Sequence, residues 1–383
     1  MTAAGGPRPE RLFSLFQELV RIDSEPRSEG KMCAFLKEFF SRAGLTVHED
    51  AGAAATGGEC GNLVVRVPAG AFSPLPPVIL NAHMDSVVPS RGVFPLDMGD
   101  RFTSLGETVL GADCKAGLAV LMICAEWLLS AGLPHRSLEL VFTVQEEIGL
   151  VGSKNMDMSL VDGEWAVVLD GSGPVGGIVV EAPGQEQITF TVRGRGAHAG
   201  IEPEKGVNAI ACAAKAISTL SLGRLDERTT ANVGVVRGGE AVNIVPDLVT
   251  VQAEVRAQDE GRLRSERDAM VLAFERAAEE SGCGLEIEVE RSFEGFRLDT
   301  SSTPVRFLSA AMRECGIEPH ATSSGGGSDA NVFNRAGIPA ACMCIGLANA
   351  HSKEEYILKS DLEACARVIC SLAVLSASEA EAG

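Results

Sequence analysis

Three stretches of the chain are apolar almost throughout and have the length of single β-strands: residues 78–80, 138–144 and 166–169. A strand that is covered on both faces is hydrophobic along its whole length. In a strand with one solvent-exposed face, apolar and polar residues alternate. Residues 115–129 read as a strongly apolar helix, and the same style returns in a helix at 305–315 and a strand at 338–345. This alternation predicts an α/β domain built on a mainly parallel sheet.

The stretch between Gly184 and Gly295 has a different pattern, because apolar and polar residues alternate along it. Such alternation indicates strands with one wet face. The predicted inward-facing sets are Ile188, Phe190 and Val192; Val249, Val251, Ala253 and Val255; and Leu285, Ile287 and Val289. Two amphipathic helices are predicted, with inward faces of Val207, Ile210, Ala211, Ala214 and Ile217, and of Leu263, Met270, Phe274 and Ala277.

The order strand, helix, strand, strand, helix, strand predicts a ferredoxin-like α+β unit, the split βαβ arrangement. We therefore expect a discontinuous α/β domain of residues 1–184 and 296–383, with the α+β domain inserted as residues 185–295. A chain of 383 residues is long enough for two such domains.

Charge and cysteine content limit the partners and the compartment. With 52 acidic and 33 basic residues the net charge is −19, which disfavours binding to nucleic acid or anionic membranes. The opening segment, residues 1–11, lacks the apolar core of a secretory signal, and no stretch has the length of a bilayer span. The eleven cysteines, including the closely spaced Cys342 and Cys344, read as small buried hydrophobes rather than metal ligands. We expect a cytoplasmic protein.

Acidic and histidine side chains lie where the predicted strands end. Loops at the carboxyl ends of neighbouring parallel strands converge on one crevice, so residues far apart in sequence can meet there. Asp113 opens the apolar helix, and the others each follow a predicted strand: His83 and Asp85, Glu146 and Glu147, Asp170, and His351. The ordering predicts a single site.

Two imidazoles and several carboxylates suit Zn²⁺, with Co²⁺ or Mn²⁺ as substitutes. We predict two zinc ions per chain, both bound by Asp113, because each oxygen of one carboxylate can bind a separate ion. The remaining ligands are His83 and Asp170 for one ion, and Glu147 and His351 for the other. Asp85, two residues beyond a ligand histidine, is expected to orient that ring by accepting its second N–H.

Glu146 is then left over. Two cations about 3.5–4 Å apart lower the pKa of a shared water and polarise a bound carbonyl group. A neighbouring carboxylate can take the proton of that water and later give it to a leaving amine. The arrangement therefore predicts amide hydrolysis with Glu146 as general base.

Each motif also has an ordinary explanation. A His-x-Asp triplet arises by chance, adjacent glutamates are usually solvated, and Asp113 could simply cap the helix that follows. The joint occurrence of these motifs, in order and at element ends, favours the site.

Five motifs together resemble the co-catalytic zinc peptidases that include peptidase T, aminoacylases and succinyl-diaminopimelate desuccinylase. They are NAHMDSV at 81–87, GADCKAG at 111–117, EEIG at 146–149, GRGAHAG at 194–200 and GGSD at 326–329. The resemblance runs from about residue 12 to 374 and is greatest to the peptidase T-like branch, through residues 182–183, 203–206, 229–234 and 243–246.

The resemblance implies the same five ligands, with Glu146 as base and Asp85 as the orienting acid. It further implies that the inserted domain is a lid and dimerisation unit. Its His198 and Asn243 would polarise the scissile carbonyl, often in the partner subunit's site, and Arg256 would grip a substrate carboxylate. The loop with Gly326 and Gly327 would line the substrate cleft. The alternatives are an exposed loop histidine at 198 and a solvated arginine at 256.

We therefore expect a homodimeric tripeptide aminopeptidase, an exopeptidase that removes the N-terminal residue of short peptides. The unpaired sheet edge of the inserted domain favours the homodimer. Two alternatives stay open: an N-acyl amino acid amidohydrolase or dipeptidase that uses the same site, and a binding protein that has lost turnover. The chain departs from the family pattern in two places. The segment between His83 and Asp113 is shorter than in peptidase T, which bears on tripeptide specificity. Cys114 stands where many family members have an acidic residue or Asn, which bears on the site around Asp113.

Overall fold

The computed structural model describes residues 6–70 and 75–375, which form two compact units. The first unit takes the described residues of Met1–Glu181, Arg297–Ser324 and Ser328–Gly383, and the second takes Ala182–Phe296 and Gly325–Gly327. Residues 1–5 of the opening segment, on which the absence of a secretory signal was predicted, lie outside the described residues.

The described residues form ten α-helices, two short 3₁₀ helices (Met158–Leu160 and Pro203–Lys205) and seventeen strands. The helices are α1 (Pro9–Val20), α2 (Gly30–Arg42), α3 (Gly52–Thr56), α4 (Ala112–Ala131), α5 (Val151–Lys154), α6 (Ala209–Ile217), α7 (Glu260–Ser281), α8 (Thr303–Glu314), α9 (Asp329–Arg335) and α10 (Lys359–Leu375). The strands are β1 (Thr46–Glu49), β2 (Leu63–Val67), β3 (Val78–His83), β4 (Pro95–Asp97), β5 (Arg101–Ser104), β6 (Leu138–Thr143), β7 (Ala166–Ser172), β8 (Gly177–Ala182), β9 (Gly184–Arg193), β10 (Gly223–Asp226), β11 (Thr229–Gly238), β12 (Leu248–Ala257), β13 (Gly284–Phe293), β14 (Phe296–Arg297), β15 (His320–Ser323), β16 (Ala340–Leu347) and β17 (Tyr356–Leu358).

The main sheet of the first unit has the order β1-β2-β6-β3-β7-β16-β8-β14, with β15 paired to β8. Its central strands β6, β3, β7 and β16 pair in parallel, while β1, β2 and the β16–β8 pair are antiparallel. Every residue of β3, β6 and β16 is buried, as continuous apolar runs require. The predicted α/β fold with a mainly parallel sheet is confirmed. A separate three-stranded sheet has the order β17-β5-β4.

Helix α4 is the most apolar helix of the first unit, and α1, α10 and β3 pack against it. Within the described part of the chain it is the one helix long and apolar enough to cross a membrane by length and composition. However, 72% of its apolar window is buried inside the protein, and a core helix passes the same test.

The second unit is a five-stranded antiparallel sheet in the order β10-β11-β12-β9-β13, with α6 and α7 packed on it. The succession β9, α6, β11, β12, α7, β13 is the predicted ferredoxin-like arrangement, extended by the short β10. The rings of Phe190 on β9 and Phe274 on α7 stack with centroids 3.8 Å apart. All four apolar residues predicted for the inward face of α7 are buried.

The predicted inward face of α6 is wrong by one residue. The buried side chains are Ala209, Cys212, Ala213 and Ala216, whereas Ile210, Ala211 and Ala214 are exposed. Val207, the first residue of the predicted face, precedes the helix and forms a β-bridge with Arg195. Asn208 caps the helix by accepting a hydrogen bond from the N–H of Ala211. In β13 the alternation also fails at Val289, which is 45% exposed.

Candidate metal centre

The five predicted ligands lie at the carboxyl ends of the central strands and in the loops that follow them, all within the first unit. His83 ends β3, Asp170 lies in β7, and Asp113 lies in the first turn of α4. Glu147 follows β6, and His351 lies in the loop between β16 and β17. They form two groups with ligand atoms within 4.8 Å of one another: His83, Asp113, Cys114 and Asp170, and Asp113, Glu147 and His351.

Asp113 belongs to both groups, and its two oxygens face different imidazoles. Its Oδ1 lies 3.2 Å from His83 Nε2, and its Oδ2 lies 3.3 Å from His351 Nε2. Asp170 Oδ1 is 3.5 Å from the first imidazole, and Glu147 Oε2 is 3.1 Å from the second. The two oxygens of Asp113 thus have the arrangement that a carboxylate shared by two cations needs. The Asp113 side chain does not cap helix α4.

Burial and charge perturb these groups strongly. Burial disfavours a charged His83, but Asp113, Asp170 and Asp85 raise its pKa well above the ordinary value. Asp113 and Glu147 raise the pKa of His351 to about 10. Burial opposes ionisation of Asp113, yet hydrogen bonds from His351 and His83 hold its pKa below the ordinary value. Burial and the nearby Asp113 raise the pKa of Asp170 well above its ordinary value.

The residues fit a pair of divalent cations. Three carboxylates and two imidazoles provide a mixed oxygen and nitrogen donor set of the kind that zinc binds. Glu147 Oε1 is buried and accepts no hydrogen bond from the described residues, which leaves a carboxyl oxygen free to bind a cation. Crowded carboxylates in a buried site need such compensating positive charge.

Asp85 adjoins this site and faces the ring of His83 with both its backbone carbonyl and its carboxylate, and its orienting role stays a prediction. His83 Nδ1 lies 3.0 Å from the backbone carbonyl of Asp85 and 3.5 Å from its carboxylate. Because a carbonyl only accepts, Nδ1 carries the proton, and the Nε2 lone pair is left for a cation. The carboxylate of Asp85 also accepts the backbone N–H groups of Glu146 at 3.0 Å and Glu147 at 3.1 Å.

Glu146 belongs to neither ligand group of the described residues. Only 9% of it is exposed, so the pair Glu146 and Glu147 is not a solvated surface pair. Burial first, and then the negative charge of Asp170, raise the pKa of Glu146 well above its ordinary value.

Cys114 was not predicted to join a ligand group. Its sulfur lies with the first group, and its S–H donates to the backbone oxygen of Leu169 at 2.6 Å. The signal in the sequence was its position directly after Asp113. The spacing of Cys342 and Cys344 is explained by burial, because both are 3% exposed or less.

The remaining predicted residues lie in the second unit. The segments around His198 and Asn243 pair, since the N–H of Ala199 donates to the carbonyl of Asn243 at 2.9 Å. His198 is exposed, and its Nδ1 accepts the N–H of Gly200 at 3.2 Å. Arg256 is held by Glu254 through two hydrogen bonds of 3.1 Å.

Gly327, in the glycine loop of the second unit, is closely packed. A Cβ atom at Gly327 would lie 2.5 Å from the ring of Phe293, so only glycine fits there. Gly326, its neighbour, is partly buried.

Two buried glutamates near the site were missed by the sequence reasoning. Glu355 accepts the N–H groups of Gly111 and Asp113, and Glu29 accepts those of Arg27 and Gln145. A single glutamate in a polar loop has no periodicity that would distinguish it from a solvated one. The available signal for Glu355 was its place four residues after His351.

Comparison with known proteins gives the class of this protein. Residues 79–374 match the family described as Peptidase family M20/M25/M40, and the chain belongs to that family. It is therefore an enzyme that hydrolyses peptide or amide bonds, and members of this family depend on metal ions. The resemblance to the co-catalytic zinc peptidases is confirmed at the level of the family.

Three relatives match almost the whole chain. The uncharacterized protein YqjE of Bacillus subtilis is 38% identical over 95% of this chain and 97% of its own. The structure of a tripeptidase from Staphylococcus aureus superimposes with a TM-score of 0.91 at 37% identity, covering 98% of this chain and 100% of that one. The structure of aminopeptidase PepT from Bacillus cereus superimposes with a TM-score of 0.86 at 38% identity, covering 97% and 99%.

Proposed function

We propose that this chain is a dinuclear zinc exopeptidase that removes the N-terminal residue of short peptides, tripeptides among them. The observation that carries the proposal is Asp113, whose oxygens face His83 at 3.2 Å and His351 at 3.3 Å. The substrate class follows from the relatives that are described as a tripeptidase and an aminopeptidase.

Five side chains would hold the cations: His83 and Asp170 on one, Glu147 and His351 on the other, and Asp113 on both. When bound, zinc ions supply Lewis acidity, which makes a water more acidic and a substrate carbonyl more electrophilic. Glu146 takes the proton of the attacking water and returns it to the leaving amine. Asp85 keeps Glu146 and Glu147 in place through their N–H groups.

The second unit would act as lid and dimerisation domain in a homodimer. His198 would donate a hydrogen bond to the carbonyl oxygen as negative charge develops on it, with Asn243 beside it. Gly326 and Gly327 would offer backbone groups to the substrate. Arg256 could bind a substrate carboxylate only after it leaves Glu254. A cytoplasmic location is supported by the eleven free cysteines.

Substrate assays test the proposal. A tripeptide with a free α-amine should be cleaved at its first bond, whereas the same tripeptide acetylated at its N-terminus, and N-acetyl amino acids, should not. Cleavage of the acetylated compounds in preference to the free peptide would instead support an N-acyl amino acid amidohydrolase. Cleavage of dipeptides alone would support a dipeptidase.

A matched pair of variants tests the roles of the adjacent glutamates. Glu146→Gln should keep two metal ions per chain and lose about 10²–10⁴-fold in kcat, because only the proton carrier is gone. Glu147→Gln makes the same chemical change one residue further and should lower metal content. Wild-type kcat in Glu146→Gln would contradict the assignment.

A further inference from the structure

Glu355 lies in the loop that carries His351, but its side chain is directed to another segment. It is 1% exposed, and both of its carboxylate oxygens are hydrogen-bonded to the start of α4. Oε2 accepts the N–H of Gly111 at 2.7 Å, and Oε1 accepts the N–H of Asp113 at 3.1 Å. We propose that Glu355 is a positioning residue that fixes the bridging carboxylate of Asp113 relative to His351, an inference that rests on the proposed dinuclear site.

The backbone at Asp113 needs such support, because its own helix does not supply it. Gly111 adopts φ +73°, and Asp113 has a non-helical ψ of 105° inside the first turn of α4. A bidentate carboxylate holds the N–H groups on both sides of Ala112, which leaves the direction of the Asp113 side chain little freedom.

Glu355 itself has a firm base. The two ends of its loop pair through Ala348 and Tyr356, which exchange hydrogen bonds of 3.3 and 3.1 Å. Thr103 Oγ1 donates to the backbone oxygen of Glu355 at 3.2 Å. His351 lies at the tip of this loop, so one residue links the position of that imidazole to the position of Asp113.

The competing explanation is that Glu355 only satisfies the N–H groups at a helix start, as many buried acids do. The two explanations differ in what they predict for metal binding. Replacing a positioning residue weakens the binding of cations. Replacing a purely structural residue lowers only the stability of the fold.

The experiment is a titration of metal-free protein with Zn²⁺, and separately with Co²⁺, by calorimetry and visible absorption. In Glu355→Gln the amide presents one acceptor and one donor, so one N–H loses its partner. We expect about 10–100-fold weaker binding of at least one equivalent and an altered Co²⁺ spectrum. Glu354→Gln is the matched control, since Glu354 is adjacent and exposed, and should bind both ions as wild type does.

Glu355→Asp keeps both oxygens on a shorter side chain and should restore part of the lost affinity. A lower melting temperature of the metal-free variants, with both metal affinities within twofold of wild type, would overturn the proposal. No peptide enters the titration. If the wild type binds two ions but cleaves no peptide, the proposed function fails while this result stands or falls separately.

Discussion

Asp85 accepts the backbone N–H of Glu147 through its carboxylate, at 3.1 Å, although 62 residues separate the two in sequence. The other oxygen of the same carboxylate accepts the N–H of Glu146 at 3.0 Å. The proposed base and a proposed ligand are therefore held by one buried side chain.

Replacing Asp85 with Asn removes one acceptor from this pair of hydrogen bonds. We expect kcat to fall about 10–100-fold, with metal content retained at saturating metal, because the glutamates lose orientation rather than charge. The measurement is kcat on a tripeptide beside metal analysis of the same sample. Asp100→Asn, at an exposed aspartate paired with Arg101, is the control. Equal kcat in both variants would refute the role of Asp85.

Glu29 predicts a pH dependence of stability. Burial, and then the charge of Asp85, raise its pKa from 4.5 to about 7. Between these values the native state keeps a proton that the unfolded chain has lost, so Glu29 makes stability fall as pH rises from about 4.5 to 7, by up to about 1.4 kcal/mol per pH unit. Glu29→Gln keeps an acceptor for Arg27 and Gln145 and lacks this dependence.

The free energy of unfolding in urea, measured from pH 4.5 to 8 with a chelator present, checks this. The free energy of unfolding of Glu29→Gln minus that of wild type should increase from about pH 4.5 to 7 and then stay constant. Glu314→Gln, at an exposed glutamate of the same unit, should follow the wild-type profile. Parallel profiles for Glu29→Gln and wild type would contradict the expectation.

His198 should act in the partner's site if the homodimer is correct. His198→Ala alone should lose about 10²–10³-fold in kcat, since one donor to the developing oxyanion is missing. Mixing it with Glu146→Gln, after exchange of subunits, should restore about a quarter of wild-type activity, because half of the dimers are mixed and one of their two sites is complete. A mixture that stays inactive although exchange is demonstrated would rule out action across subunits.

The stacked rings of Phe190 and Phe274 predict the main stability determinant of the second unit. Phe274→Ala should cost about 3–5 kcal/mol, because it leaves a cavity against the sheet. Leu272→Ala on the same helix, at a side chain 44% exposed, should change stability by about 0.5 kcal/mol or less. Urea unfolding followed by circular dichroism measures both, and equal effects would show that the stack contributes little.

Sequence alone was sufficient to predict the architecture. A continuous apolar run indicates a strand buried on both faces, and an alternating run indicates a strand buried on one face. It was also sufficient to select side chains such as His83 and Asp113, since polar residues at strand ends stand out against apolar neighbours. Side-chain hydrogen bonds were less accessible. The pattern of residues did not indicate that the carboxylate of Asp85 also accepts the backbone N–H groups of Glu146 and Glu147.

Arg256 and helix α6 show where the pattern of apolar and polar residues was insufficient. Arg256 lies on the wet face of β12, and nothing in the alternation indicated that Glu254, two residues away on the same face, holds its guanidinium group. For α6 the apolar residues were ambiguous in phase, and the starting residue of the helix, set by the Asn208 cap, decided which face is buried.

The strand order also has a consequence for biosynthesis. β16 lies between β7 and β8 in the sheet, although it is translated more than a hundred residues after both. A ribosome makes His83, Asp113, Glu147 and Asp170 well before His351, which follows β16. A nascent polypeptide therefore lacks one of the five proposed metal ligands until β16 and the loop after it have been synthesised.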